Sequence, residues 1–172
     1  MTMSTSAIVR QWEVVAYEAT TLFQLCDILG GDAYNGYPKA VRNAIVESAC
    51  LHARIIIDIL LSKDSGKGDD IRLDQLLPGF QPASLQKLRS VYGHSKDPQP
   101  LPLWPCWILN KMVAHPTLKR GTSYDYADLL RSLVPLIEDV LRAIQTSPAT
   151  GASKLPAPRG GMDPRFCAKT GS

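Results

Sequence analysis

The chain has 172 residues, of which 45% are hydrophobic and 20% are charged, and this fits one domain with enough apolar side chains for a core. The formal net charge of +3 comes from residues 147–172, which hold four basic side chains and one acidic side chain. Residues 1–146 therefore balance at 15 basic and 15 acidic side chains, which excludes a broad basic surface for nucleic acid and leaves room only for a local patch.

The same inspection excludes several other classes of protein. No stretch reaches the roughly 18 apolar residues of a membrane span, and the N-terminal residues lack the apolar segment of a secretory signal. The four cysteines, at positions 26, 50, 106 and 167, show no metal-ligand spacing. Three of them fall in apolar helix patterns, where cysteine behaves as a small buried hydrophobe. We expect a cytoplasmic protein without cofactor, metal or membrane contact.

The first predicted helix covers residues 6–29, where apolar side chains recur with the 3.6-residue period. Ser6 can cap its start, and the two glycines that follow residue 29 end it. A turn then leads to Pro38, which suits the first position of a second helix.

The second predicted helix covers residues 38–62, and its apolar residues nearly encircle it, which indicates a central place in a bundle. Glu47, Arg54 and Asp58 share one face of this helix. Charged residues on a mostly buried helix need partners. They form either a structural ion-pair network or, for Arg54, part of a shared polar pocket.

The later elements are shorter. IRLDQLLPGF predicts a short helix or an irregular segment, and a third helix over residues 82–92 ends at Gly93. A final helix begins after the cap Ser123 and ends near residue 145, with Pro135 expected to kink or interrupt it. Residues 147–172 are rich in Pro, Gly, Ser and Thr, so we predict a folded domain over 1–146 followed by a disordered tail.

The most informative stretch is WPCWILNKMVAHPTLKR, residues 104–120. Pro105 suits the first turn of a helix, and Pro116 predicts that this helix ends at His115. A histidine in a last turn faces the negative end of the helix dipole, which favours its protonated form. His115 is therefore either a proton-transfer group or a helix cap.

Four segments resemble, in their order, the HEPN superfamily of small helical bundles found in many bacterial RNases and toxins. They are ESACLHARIIIDIL, DDIRLDQLLPGF, ILNKMVAHPTLKR and SYDYADLLRSLVPLIEDVLRAI. The likeness covers roughly residues 6–145. It implies an all-α fold, an antiparallel bundle of about four to five main helices.

Catalytic members of that superfamily carry an Arg, a polar residue, and a His four to six residues later. In them the His transfers protons and the Arg stabilises phosphate charge during metal-independent RNA cleavage, with two copies of the motif meeting across a dimer interface. Here His115 matches the His and Asn110 matches the polar residue, but Leu109 stands where the Arg belongs. The replacement cations that we consider are Lys111, Arg54 and Arg120.

Two functions follow from the resemblance. The first is a non-catalytic or weakly active homodimeric interaction module, in which Trp107 is a candidate anchor residue. The alternative is a metal-independent endoribonuclease or RNA-binding protein, with His115 as acid and base. Asn110, Lys111 and Arg54 would then contact phosphate. The spacing of the three histidines, at 52, 94 and 115, does not predict a metal enzyme.

Overall fold

The computed structural model of the chain describes residues 4–61, 70–93, 105–109, 125–148 and 155. Regular structure in these residues is helical, which confirms the predicted all-α bundle. The order is α1 (Thr5–Gly30), a 3₁₀-helix (Asp32–Gly36), α2 (Lys39–Leu61), α3 (Leu73–Leu76), α4 (Ala83–Tyr92), α5 (Pro105–Ile108) and α6 (Tyr126–Gln145).

The helices pack around one hydrophobic core. α1 lies along α2, α2 also packs on α6, and α6 packs on α4. The connection between α1 and α2 is short, as in antiparallel helix pairs. The largest fully buried side chains come from every long helix: Trp12, Leu22, Ile56, Ile57, Leu85, Leu88, Leu109, Leu130, Leu133, Ile137 and Ile144.

α6 is the most extensively buried helix of the bundle. It contributes ten buried residues and continues through Pro135, so Pro135 does not interrupt the helix, and the predicted kink stays a prediction. Packing on both α2 and α4 offsets the backbone hydrogen bond that a proline removes. Glu138 is the charged residue buried in the described part of the chain, and it accepts a hydrogen bond of 3.1 Å from Arg142 one turn later.

The two predicted helix caps are both displaced by two residues. Ser4, not Ser6, caps α1, because its Oγ accepts a hydrogen bond from the N–H of Ala7 at 3.3 Å. Asp125 caps α6, and its Oδ1 accepts from the N–H of Asp128 at 3.0 Å. Each cap lies three residues before the N–H that it satisfies, which is the geometry an N-cap requires.

Gly79, in the turn between α3 and α4, offers a test of backbone strain. Its φ is +79°, a left-handed value, although a Cβ there would meet nothing within 4 Å. We expect Gly79→Ala to lower the free energy of unfolding by about 1–2 kcal/mol, because only the backbone conformation opposes a side chain. Chemical denaturation followed by circular dichroism measures it.

Gly36 supplies the matched control. A Cβ there also meets nothing within 4 Å, but its φ is not positive. Gly36→Ala should therefore be neutral or raise the free energy of unfolding by up to about 1 kcal/mol. Equal losses in the two variants would contradict this account.

One residue of the predicted disordered tail packs on the bundle. Leu155 is 5% exposed and belongs to the hydrophobic core, and its carbonyl oxygen accepts a hydrogen bond of 3.2 Å from Gln145 Nε2. The neighbouring positions 149–154 and 156–172 lie outside the described residues. The domain boundary at 146 therefore stays a prediction, with Leu155 as one contact beyond it.

Candidate functional site

Most of the predicted site lies outside the described residues. This applies to Asn110, Lys111, His115 and Arg120. Trp107 belongs to α5, but its side chain is not among those described. Arg54 on α2 and Leu109 directly after α5 are described, and they carry the structural information on the predicted motif.

Leu109, at the position of the expected arginine, is fully buried. Its exposed fraction is 0%, and it lies in the core together with Cys106 and Ile108 of the same turn. An arginine needs water or a counter-ion for its charge, and neither is available to a side chain packed among aliphatic groups. The bundle therefore uses position 109 for apolar packing, not for a cation.

Arg54 lies in a polar cluster between α2 and α4. Its Nε is 3.5 Å from Asp58 Oδ2 one turn along α2. Tyr92 of α4 is near both groups: burial, the charge of Asp58 and the thiol of Cys106 raise its pKa, and Arg54 opposes them. Because Cys106 belongs to α5, the cluster extends from α2 and α4 to the start of α5. Because Asp58 neutralises Arg54, however, the pair offers a polynucleotide phosphate little net attraction.

The Tyr92 hydroxyl is a buried polar group of this cluster. The tyrosine is 6% exposed, and within the described part of the chain its hydroxyl has no hydrogen-bond partner. Buried hydroxyls normally have one. The role of Arg54 as a replacement cation stays a hypothesis, because His115 lies outside the described residues.

Asp58 provides a pH test of this cluster. Burial raises the pKa of its carboxyl group more than Arg54 lowers it, so the folded state holds the proton more tightly than the unfolded state. Stability contributed by Asp58 is therefore present at low pH and is lost as the pH rises above about 4. We expect Asp58→Asn to gain stability relative to the wild type between pH 3.5 and pH 7.

Urea unfolding of both proteins at the two pH values measures this difference. The half-exposed carboxylate limits the size of the effect, because solvent screens it. The test therefore depends on the sign of the stability difference between Asp58→Asn and the wild type, not on its size. A relative loss for Asp58→Asn at pH 7 would mean that the Arg54 ion pair outweighs the cost of burial.

A second surface, not predicted from the sequence, lies on α1 and α2. Large hydrophobic side chains exposed in the described residues concentrate there. Those on α1 are Val14, Tyr17 and Ile28, those on α2 are Val41 and Leu51, and Tyr37 lies in the connection, whereas Val91 is on α4. We call the exposed side of α1 and α2 that carries the five helical residues the outer face.

A histidine–glutamate pair lies at the seam of the outer face. His52 Nδ1 of α2 is 2.5 Å from Glu18 Oε2 of α1, and the two side chains are 14% and 12% exposed. The exposed ring of Tyr17 contacts the His52 ring edge-on, with centroids 6.3 Å apart. This contact links α1 and α2, and it gives the Glu18 carboxylate a partner where the two helices meet.

The amino-acid sequence of α1 contains a spacing of apolar residues from which the outer face could have been predicted. Val14, Tyr17 and Ile28 are spaced three and eleven residues apart, close to one and three whole turns, which places them on one side of the helix. This second stripe lies opposite the buried stripe that includes Trp12, Val15, Ala19 and Leu22. The sequence prediction assigned α1 a single apolar stripe and so missed it.

Nucleophilic and metal chemistry find no support in the described residues. Burial, with Cys26 and Glu47 nearby, raises the pKa of the Cys50 thiol to about 12, so its reactive thiolate form is scarce near neutral pH. No group of three or more metal-binding side chains occurs among these residues.

None of the described helices combines the length and the apolar character needed to cross a bilayer. Comparisons with protein-family models, curated proteins and solved structures find no match to the chain. The function must therefore be inferred from the residues of the chain itself.

Proposed function

We propose that the protein is a non-catalytic interaction module that forms a homodimer through the outer face. The observation that carries this proposal is the concentration of exposed apolar side chains on α1 and α2. Monomeric proteins seldom expose contiguous apolar patches of this kind without a partner. The HEPN resemblance adds support, because dimers are usual in that superfamily.

A symmetric contact along the full length of α1 and α2 would reach the size that a stable dimer needs. α1 has 26 residues, which at about 1.5 Å per residue gives a length of roughly 39 Å. Two adjacent helices, each about 10 Å wide, then present roughly 700–800 Å². Standard interfaces bury about 800 Å² per partner.

The chemistry of the outer face suits a second copy of the same chain. Tyr17 is the most exposed of its apolar side chains, at 63%. The small residues Ala44 and Ser48 lie on α2 between Val41 and Leu51. Their short side chains form a shallow strip between the two larger ones. In a symmetric pair, Tyr17 of each copy can pack over that strip of the other. Glu18 and His52, beside Tyr17, already contact each other, which lowers the cost of covering these two groups with a second copy.

Dimerisation is tested by sedimentation of the purified protein over a range of concentrations. We expect a dimer whose dissociation constant weakens on the order of 100-fold in Leu51→Glu, because the substitution places a charge in the desolvated centre of the interface. Val91→Glu is the matched control. Val91 on α4 is 40% exposed and Leu51 is 43% exposed, so both variants should keep the helical circular dichroism spectrum of the wild type, and any difference in melting temperature should follow the loss of the dimer.

Two results would overturn the proposal. One is a wild-type protein that stays monomeric at every concentration. The other is a dimer that Val91→Glu dissociates and Leu51→Glu leaves intact, which would move the interface to α4.

The endoribonuclease alternative has a separate test. Because Leu109 is buried and Asp58 neutralises Arg54, we expect no cleavage of a mixed labelled RNA pool in EDTA above the level of His115→Ala. Cleavage that disappears in His115→Ala would establish a metal-independent nuclease. The cation that replaces the missing arginine would then be sought at Lys111, Arg120 and Arg54.

A further inference from the structure

A cavity of about 180 Å³ opens between the end of α2, α3 and the start of α4. Its apolar wall is built by Leu60, Leu61, Leu73, Leu77, Phe80 and Leu85. Leu60, Leu73 and Leu85 belong to the hydrophobic core, so this wall is supported from behind. The cavity is lined by different residues from those that define the outer face, so occupancy does not require the proposed dimer.

The polar side of the cavity carries an unbalanced cation. Arg89 lines the cavity one helical turn after Leu85, on the same side of α4. Within the described residues Arg89 has no ion-pair partner. Asp74 also lines the cavity, but its carboxylate is 3.5 Å from Arg72 Nε. Together these three residues carry a net charge of +1.

This combination defines the chemistry of a ligand. An apolar cavity of about 150 Å³ is large enough for benzene, so 180 Å³ holds one ring or one branched alkyl group. A guanidinium recognises a carboxylate through two parallel hydrogen bonds. We propose that this cavity binds small monocarboxylates whose apolar part is about the size of a benzene ring. The apolar part would contact the leucines and the carboxylate would bind Arg89.

Phenylacetate is a suitable probe, and isothermal titration of the full chain with NMR-detected shifts is the measurement. We expect saturable binding with a dissociation constant of about 1 mM. Phenylacetamide, which has the same shape without the charge, should bind about 10-fold more weakly or worse. Arg89→Gln should cause a similar loss for phenylacetate alone and leave phenylacetamide unaffected.

Two further variants separate the site from general effects on folding. Leu77→Trp should abolish binding of both probes by filling the cavity, and its melting temperature reports whether the protein remains folded. Asp74→Asn should tighten phenylacetate binding, because it removes the negative charge beside Arg89. A purely structural role for Asp74 would not produce that gain.

Three outcomes would overturn the inference: no saturable binding of phenylacetate, equal binding of phenylacetamide, or preferential binding of benzylamine. The last of these would show that Asp74, not Arg89, sets the charge preference of the cavity.

Discussion

Leu109→Arg is expected to lower the free energy of unfolding by about 3–5 kcal/mol, the loss typical of an uncompensated buried charge. Leu109 is 0% exposed among core side chains, so an arginine there must either remain dehydrated or force α5 away from the bundle. The substitution restores the pattern of the catalytic motif in sequence. It should nevertheless yield a destabilised protein without RNase activity. Urea unfolding and the RNA cleavage assay measure the two results.

Leu109→Met is the control for volume and shape. Methionine keeps the side chain apolar at similar size, so the expected loss is under about 1.5 kcal/mol. If Leu109→Arg were as stable as Leu109→Met and cleaved RNA, position 109 would be able to carry a catalytic cation. The fold would then support the catalytic motif, and Leu109 would be the residue that removes this activity from the natural chain.

Trp12→Ala is expected to cost about 3–5 kcal/mol of stability, the largest effect that we predict for a single truncation. Trp12 on α1 is 1% exposed, and α1 makes its main contacts with α2. Loss of the indole ring therefore leaves a cavity where α1 attaches to the bundle. Thermal and urea unfolding of the variant give the measurement.

Trp12→Phe separates the ring from its polar atom. The indole Nε1 is buried without a hydrogen-bond partner among the described residues, so replacing it removes an unsatisfied donor together with part of the ring. We expect Trp12→Phe to lose much less stability than Trp12→Ala. Similar losses in the two variants would show that Nε1–H makes a contribution of its own to the folded state.

The order and type of the helices could be predicted from the sequence, and the reasons are local. Apolar periodicity located α1, α2, α4 and α6, and Gly93, with φ of +81°, ends α4 as expected. Which residue begins a helix was harder to predict. Ser4 and Ser6, like Ser123 and Asp125, are alternative caps two residues apart, and only the competition between local hydrogen bonds decides between them.

Pro135 shows that a helix can continue through a proline when it is packed on both sides. A proline inside a helix costs about 3 kcal/mol relative to alanine, which favours an interruption when the helix is considered alone. Ten buried residues of α6 provide tertiary packing on both sides of the proline, and continuity of the helix follows from that packing.

The candidate sites were predictable only in part. The absence of the motif arginine is visible in the sequence, but the burial of Leu109 depends on how α5 packs. The outer face was missed because the predicted stripe that contains Trp12, Val15 and Ala19 already explained the apolar period of α1, and the exposure of the other apolar residues depends on packing. Arg89 and Asp74 are 15 residues apart in sequence, and only the turn between α3 and α4 brings them to one cavity.

Leu155 has a practical consequence for any shortened form of this protein. Because its side chain is 5% exposed within the core, we expect the cooperative folding unit to include a residue beyond the last turn of α6. Limited proteolysis should leave a resistant fragment that retains position 155. A chain cut after residue 146 would expose the apolar surface that Leu155 covers, and it would aggregate more readily than one cut after residue 158.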